Sequence, residues 1–375
     1  MTPLIRKALR SRSVRFWLTA GGIGVTALLV MVLGSAYHSV SSSVAAYVGQ
    51  PGIDVWVAPL GVDNLMRSSA FLPAHVPESL ATIRGVAAAD PIVRSYVTVR
   101  DEANPSPGGR RLALIAIGYA APSGGGGPPV IARGREPRDS NDITLDRAAA
   151  ARLHVTLSDT VWVNGHAGVI VGLTDGTNLL STQFLFANLS TVSEASALRG
   201  RASFALVRPA PGVQRTVLLD SIRTRFPRLS VYSREQFTAN NVREVAAGFI
   251  PLLTLVALLG LLAAAVLVVL LVHAVVEERR EDIAVLLALG ADAGALTRTV
   301  IAEALALALV GGLLGIIAAS ALGAVLDRAL PVIPLLFHTA DAARVLLVFV
   351  AAAIGAAVAP VARLRKIDPL EAFRA

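Results

Sequence analysis

The chain has 375 residues, 54% of them hydrophobic and only 16% charged, with a mean hydropathy of +0.63. Water-soluble domains of this length rarely combine so few charges with so much apolar character. The formal charge of +8 is not spread as nucleic acid would require: cations gather beside apolar runs, at Arg6, Lys7, Arg10, Arg12 and Arg15 and again at Arg363, Arg365, Lys366 and Arg374, as they do at membrane flanks. Cysteine is absent, which excludes disulfides, a CxxC redox pair and thiolate metal sites.

Four stretches are long and apolar enough for the ~20 residues that a bilayer crossing needs. The basic segment 1–15 leads into the first, Phe16–Tyr37. Its basic start and the Gly34-Ser35-Ala36 end also fit a signal peptide, but the apolar run is longer than such a core needs, and a fourth span would put both termini on one side. The second span, 249–276, lies in the uncharged run from Val245 to Val276. The third falls in 301–326, closed by Asp327, and the fourth in 345–362. Cations in 1–15, in 277–300 (Arg279, Arg280, Arg298) and in 363–375 assign these three segments to the cytoplasm. Segments 38–248 and 327–344 then lie outside the cytoplasmic membrane.

The outer segment 38–248 reads as an α/β domain inserted in a 1+3 arrangement of transmembrane helices. Asp54–Ala58 reads as a strand and Leu112–Ile117 as a buried strand. Asn164-Gly165 between Val161-Trp162-Val163 and Val169-Ile170-Val171 is a strong hairpin signal. Asp146–Leu153 and Val213–Phe226 read as helices. Pro105–Arg111 and Pro122–Pro129, the second with four consecutive glycines, read as flexible loops. Trp56, Phe71 and Phe184 read equally well as core or as contact residues.

Catalytic signatures are missing. Only Lys7 and Lys366 are lysines, and neither follows a glycine-rich loop, so the chain lacks the P-loop that would place a Lys on nucleotide phosphates. The six histidines form no HExxH pair, and there is no G-x-S-x-G elbow. Catalytic, cofactor-binding and metal sites are therefore expected to be absent. His273, the one span histidine, lies near a cytoplasmic end, where a role in membrane-embedded catalysis is disfavoured.

The most informative stretch runs from Glu277 to Ala291. Glu278, Arg279, Arg280, Glu281 and Asp282 are followed by Ile283, Leu286, Leu287 and Gly290, spaced i, i+3, i+4, i+7 as on one helical face; Leu289 lies beside them and Gly290 is a plausible stop. A short amphipathic helix at the cytoplasmic surface suits either a groove on a partner or the lipid interface.

This stretch resembles the coupling-helix signature of the FtsX-like permeases, the family that includes MacB-like and DevC-like members of the type VII ABC transporters. Glu281 stands where a basic residue is common, Asp282 where Glu is usual, and Leu287 where Arg is frequent. Asp368-Pro369-Leu370-Glu371-Ala372-Phe373-Arg374 resembles the family's closing D-P-x-E-A-x-R. Leu145-Asp146-Arg147 with Val155–Val161 resembles its L-D-x…L-G-V-x-x-G-D-x-V element, and Val171–Asn178 is similar to DevC-like members. The resemblance implies a MacB-like outer core domain. It further implies a permease subunit that binds no cofactor itself, ATP being held by a separate P-loop ATPase subunit whose motion the coupling helix relays outward. It also implies a permease homodimer in the lipid bilayer and, outside, a membrane-fusion protein or a cell-envelope enzyme. An FtsX-type regulator with no transported substrate is the alternative, and an ATPase-independent scaffold a third reading. In the third span, Gly311, Gly315, Ala319 and Gly323 recur every four residues, the spacing that lets helices approach closely, either within the chain's own bundle or at a dimer seam.

Overall fold

A computed structural model describes residues 14–66, 70–73, 75–102, 109–122, 124–179, 182–278, 293–329 and 335–364. The chain divides into two compact units. One is drawn from Met1–Ala36, Phe249–Leu326 and Leu335–Ala375, the other from Tyr37–Gly248 and Asp327–Pro334.

The first apolar run forms α1 (Val14–Val48), which continues well past Tyr37 because Val40, Val44, Tyr47 and Val48 keep an apolar helical face that is buried. The α/β unit then follows. Its elements are β1 (Val55–Pro59), β2 (Leu72–Pro73), α2 (His75–Ala81), β3 (Val86–Arg100), β4 (Arg111–Tyr119), β5 (Ile131–Gly134), β6 (Asp142–Asp146) and α3 (Arg147–Leu153), and then β7 (Thr160–Val163), β8 (His166–Thr174), β9 (Phe184–Asn188), α4 (Leu189–Ala195), β10 (Arg201–Ala202), β11 (Phe204–Pro209), α5 (Arg215–Arg225) and β12 (Leu229–Ser233). Among the described residues, three long helices follow: α6 (Arg234–Glu278), α7 (Ala293–Ala329) and α8 (Thr339–Leu364). At 1.5 Å per residue, the 45 residues of α6 reach about 67 Å, more than twice the ~30 Å hydrocarbon core, so α6 is far longer than a span requires. Helices α1 and α6 each contribute residues to both units.

Among the described residues, four helical stretches are long and apolar enough to cross a membrane: Phe16–Val48, Arg234–Leu270, Thr297–Leu326 and Thr339–Val358. Within the helical unit the core is built from small residues against larger ones, with Ala20, Ile23 and Ala27 of α1 beside Ala304, Leu307 and Ala308 of α7, and Phe349, Ala353 and Ala357 of α8 closing it. Contacts between α1 and α7 are backbone-close. A Cβ at Gly311 would sit 2.7 Å from both the Ala20 carbonyl oxygen and the Ile23 Cβ, and one at Gly315 would meet the Gly24 carbonyl oxygen and, at 2.6 Å, the Ala27 Cβ. Helix α6 meets α1 where Gly260 faces Thr26, and α8 meets α7 where Gly312 faces Leu346.

Among the described residues of the α/β unit, ten strands form one mixed sheet in the order β12-β1-β11-β3-β4-β9-β6-β8-β5, with β7 pairing both β3 and β8. The 15-residue strand β3 organises it. Its first half pairs with β11, from Val86↔Pro209 to Ile92↔Phe204, and its second half pairs with β4, from Val93↔Gly118 to Arg100↔Arg111. The partner changes between Ile92 and Val93, and the core divides there too. One lobe gathers Val55, Val57, Leu80, Val207, Leu218 and Ile222 under α2 and α5. The other gathers Val93, Val97, Leu114, Leu145, Leu153 and Ile170 under α3 and α4.

Asn164 (φ 48°) and Gly165 (φ 90°) both adopt positive φ, the type I′ geometry that joins β7 to β8 with Val163 opposite His166. The glycine run 124–127 departs from the flexible loop expected of it. Gly125 N–H donates to Asp90 Oδ2 at 2.9 Å, and Gly126 and Gly127 accept from Tyr47 and Gln50. The run lies so close to the sheet that a side chain would not fit: a Cβ at Gly126 (φ +90°) would come within 2.6 Å of Ile92 and 2.9 Å of Leu206, and one at Gly127 within 2.7 Å of the Tyr119 ring.

Candidate functional site

The residues of α1 and α6 that belong to the α/β unit end in its core, and Trp56 on β1 holds both. Its indole N–H donates to the Val48 carbonyl at the end of α1, at 3.2 Å. Its ring stacks on Phe237 in the first turn of α6, with centroids 4.5 Å apart and planes inclined by 20°. Phe204 packs edge-on against both rings. All of these side chains are fully buried, so the indole N–H, which must find an acceptor when dry, finds it on a helix end.

Each helix end has a further anchor. Tyr47, also fully buried, donates to the Gly126 carbonyl at 3.0 Å and packs edge-on against Phe184, 5.2 Å between centroids. On α6, Ser233 and Gln236 form a reciprocal capping box: Ser233 N–H donates to Gln236 Oε1 at 3.1 Å, and Gln236 N–H to Ser233 Oγ at 3.2 Å. One turn on, Asn241 accepts from Leu65 N–H at 2.7 Å and donates to the Phe237 carbonyl at 2.7 Å. Arg215 of α5 spans Asp54 at 2.9 Å and Glu235 at 2.7 Å, tying the first turn of α6 to the approach to β1. The two ends also meet each other, since a Cβ at Gly49 would lie 3.3 Å from Thr238 Oγ1. Displacing either helix end must therefore move β1 or break buried contacts.

The element 145–161 is structural. Asp146 caps α3 through the Ala148 N–H and accepts from Thr177 Oγ1 at 2.6 Å; burial raises its carboxyl above the ordinary range, against the lowering effect of those bonds. Asp142 lies in the same strand. Burial would raise it too, but the Arg138 N–H, the Arg135 guanidinium and the Asp139 N–H all donate to it and hold it below the usual carboxylate range. His154 (φ 58°) and Ser158 (φ 72°) are left-handed, at the two places where the L-G-V-x-x-G-D-x-V pattern carries glycine. Tyr119 is raised by burial and by Glu136, to which its hydroxyl donates at 3.2 Å. Among the described residues of the α/β unit taken alone, no three His, Asp or Glu side chains gather closely enough to hold a metal ion.

Of the residues expected to couple to an ATPase, Glu278 closes α6, while Arg279, Arg280, Glu281, Asp282, Ile283, Leu286, Leu287, Leu289 and Gly290 lie outside the described residues. Helix α7 begins at Ala293, inside the segment 277–300 that holds the expected coupling helix and loop. The small residues of α7 are buried: Gly311 and Gly315 against α1, Gly323 against Phe337, and Ala319 with no exposure. Of the three aromatics that read either way, Trp56 and Phe184 are core, and Phe71 lies under the Arg201 guanidinium at 5.9 Å. Sequence reasoning missed the anchors at Tyr47, Phe237 and Asn241. The available signal was the apolar and aromatic spacing that continues beyond both hydrophobic runs.

The family model of the FtsX-like permease C-terminal domain matches residues 254–369. The periplasmic region of MacB from Actinobacillus actinomycetemcomitans aligns with 16% identity over 51% of this chain and 93% of that one, at a TM-score of 0.39. The extracellular domain of the noncanonic ABC-type transporter YknZ from Gram-positive bacteria aligns with 13% identity over 48% of this chain and 98% of that one, at a TM-score of 0.35. Comparison with curated protein sequences gives no match. Over residues 254–369 the chain is thus similar to the FtsX-like permease C-terminal domain.

Proposed function

We propose that this protein is the membrane subunit of an ATP-driven ABC export or mechanotransmission complex, relaying the motion of a separate P-loop ATPase to its α/β unit. The observation that carries the reading is the FtsX-like match over 254–369, because the matched segment contains the charged and amphipathic stretch Glu277–Ala291 between two spans. A short helix there, with Ile283, Leu286 and Leu287 on one face, suits a groove on the ATPase. The chain supplies no P-loop of its own.

The Trp56 site supports the outward half of the relay. ATP-driven closure of two ATPase subunits would displace the coupling stretches of two permease copies, and α6 would carry that displacement to Phe237. Trp56 would then pass it to β1 and to the end of α1. With Gly311 and Gly315 already filled by α1 of the same chain, the contact between copies falls on other faces of the helices. The N-terminus, the segment 277–300 and the tail are assigned to the cytoplasm on their cations, and the α/β unit to the outer side of the cytoplasmic membrane.

Co-expression with a P-loop ATPase encoded beside it tests the reading. The purified pair is expected to hydrolyse ATP, and the chain alone to hydrolyse none. Robust turnover by the chain alone, or no association with any such ATPase, contradicts it.

A further inference from the structure

The glycine strap 124–127 touches three parts of the α/β unit. It leaves β4 at the Tyr119 ring, which Gly127 abuts. It crosses the first half of β3 and its partner β11, where Gly125 N–H bonds Asp90 Oδ2 and Gly126 lies against Ile92 and Leu206. Asp90 is itself held by Arg208 of β11 at 3.2 Å. The strap then receives the end of α1, through Tyr47 to the Gly126 carbonyl and Gln50 to the Gly127 carbonyl at 3.2 Å. Ile92 is the last β3 residue paired with β11, and Val93 the first paired with β4. The strap therefore lies over the place where the two lobes exchange strand partners.

On the other edge of β3 the same junction is thinly held. Beyond Phe204, among the described residues, Ser203 continues the ladder, its N–H donating to the Ile92 carbonyl at 2.7 Å, its Oγ accepting from Arg94 N–H at 2.9 Å and donating to the Arg94 carbonyl at 3.3 Å. Pairing on that edge resumes only near Thr98, through Asn164 and then β7. A strand supported on alternate edges, with one serine at the changeover, is the natural line for two lobes to bend about.

We propose that the glycine strap is a brace that fixes the angle between the two lobes and makes it follow the end of α1, Tyr47 being the positioning residue that seats it. Movement of α1 then bends the α/β unit at Ile92–Val93 instead of carrying it as one body. The purpose of the brace rests on the transmission reading, but the brace itself can be tested without an ATPase.

The chain has no cysteine, so Ala151→Cys on α3 and Thr216→Cys on α5, both exposed, would carry spin labels on opposite lobes of the full chain in detergent or nanodiscs. Pulsed dipolar distances are compared in this background and with Tyr47→Phe or Gly126→Ala added. Tyr47→Phe removes one buried hydrogen bond, and Gly126→Ala forces the strap off Ile92. Both are expected to broaden the interlobe distance distribution, Gly126→Ala more. Amide exchange at residues 44–50 is expected to quicken about fivefold in Tyr47→Phe, the size of one lost bond. A lower melting temperature with an unchanged distance distribution would reduce the strap to ordinary packing and overturn the proposal. Should Gly126→Ala fail to fold, an unchanged distribution in Tyr47→Phe alone overturns it equally. Broadening in the absence of any ATPase supports the brace even if the ATPase assignment fails.

Discussion

Trp56 stacks on Phe237 at 4.5 Å while its N–H caps the Val48 carbonyl, so one side chain on the sheet holds the last turn of one long helix and the first turn of another. Truncation to Ala removes both contacts and leaves a large cavity, at a cost of about 3–5 kcal/mol. Trp56→Phe keeps a stacking ring and loses the donor, at about 1 kcal/mol. Chemical denaturation of the detergent-solubilised chain is expected to rank wild type above Trp56→Phe above Trp56→Ala. Equal stability of the first and last would deny Trp56 its part in anchoring the helices.

His154 and Ser158 hold left-handed backbone without the glycine that suits it. A non-glycine residue there costs ~1–2 kcal/mol, against ~0.5–1 kcal/mol for the extra freedom of glycine in the unfolded chain. Ser158→Gly is expected to raise the melting temperature slightly, and Ser158→Val, β-branched, to lower it clearly. The reverse order would show that the Ser158 side chain contributes more than its backbone costs.

Asp142 is held below the ordinary Asp value by its three donors. A carboxylate depressed in the folded state stabilises it at every pH above the unfolded value of about 3.9, and that stability is lost as the pH falls through the lower folded value. Asp142→Asn is expected to destabilise the chain at pH 7 and to flatten the acid limb of its stability profile below about pH 4. An unchanged acid limb would mean that the Asp142 carboxylate is not linked to folding.

Gly315→Leu forces a side chain onto the Gly24 carbonyl and the Ala27 Cβ. Overpacking of this kind costs about 1–3 kcal/mol, so the variant is expected to insert normally and to melt earlier in detergent, whereas Ile317→Ala, on an exposed position of the same helix, should be nearly silent. Wild-type melting of Gly315→Leu would argue that α1 and α7 are not in close contact.

Local chemistry made some of this legible. Asn164-Gly165 declares its hairpin because only residues tolerant of positive φ complete a type I′ turn, and β4 is an unbroken apolar run because it is buried in the middle of the sheet. The four glycines were misread for the same local reason: glycine usually marks a flexible loop, and here it marks close approach to Tyr47, whose hydroxyl reaches Gly126 over 79 residues of sequence. The helix anchors were also hidden, since hydropathy ends α1 near Tyr37 while its apolar face continues among serines to Val48. The proposed coupling residues beyond Glu278 lie outside the described residues, and their assignment rests on spacing and resemblance alone.

The reading depends most on the face of Ile283, Leu286 and Leu287. If it docks into an ATPase, apolar burial should matter more than net charge there. One buried Leu contributes about 1.5–3 kcal/mol, and an unpaired carboxylate in the same groove costs several more. Co-purification of a tagged partner ATPase with Leu286→Asp and with Glu281→Gln is the direct measurement. Leu286→Asp is expected to release the ATPase while the permease still inserts, and Glu281→Gln to retain it. Undiminished ATPase recovery with Leu286→Asp would mean that this face rests on lipid, contradicting its role as the coupling element.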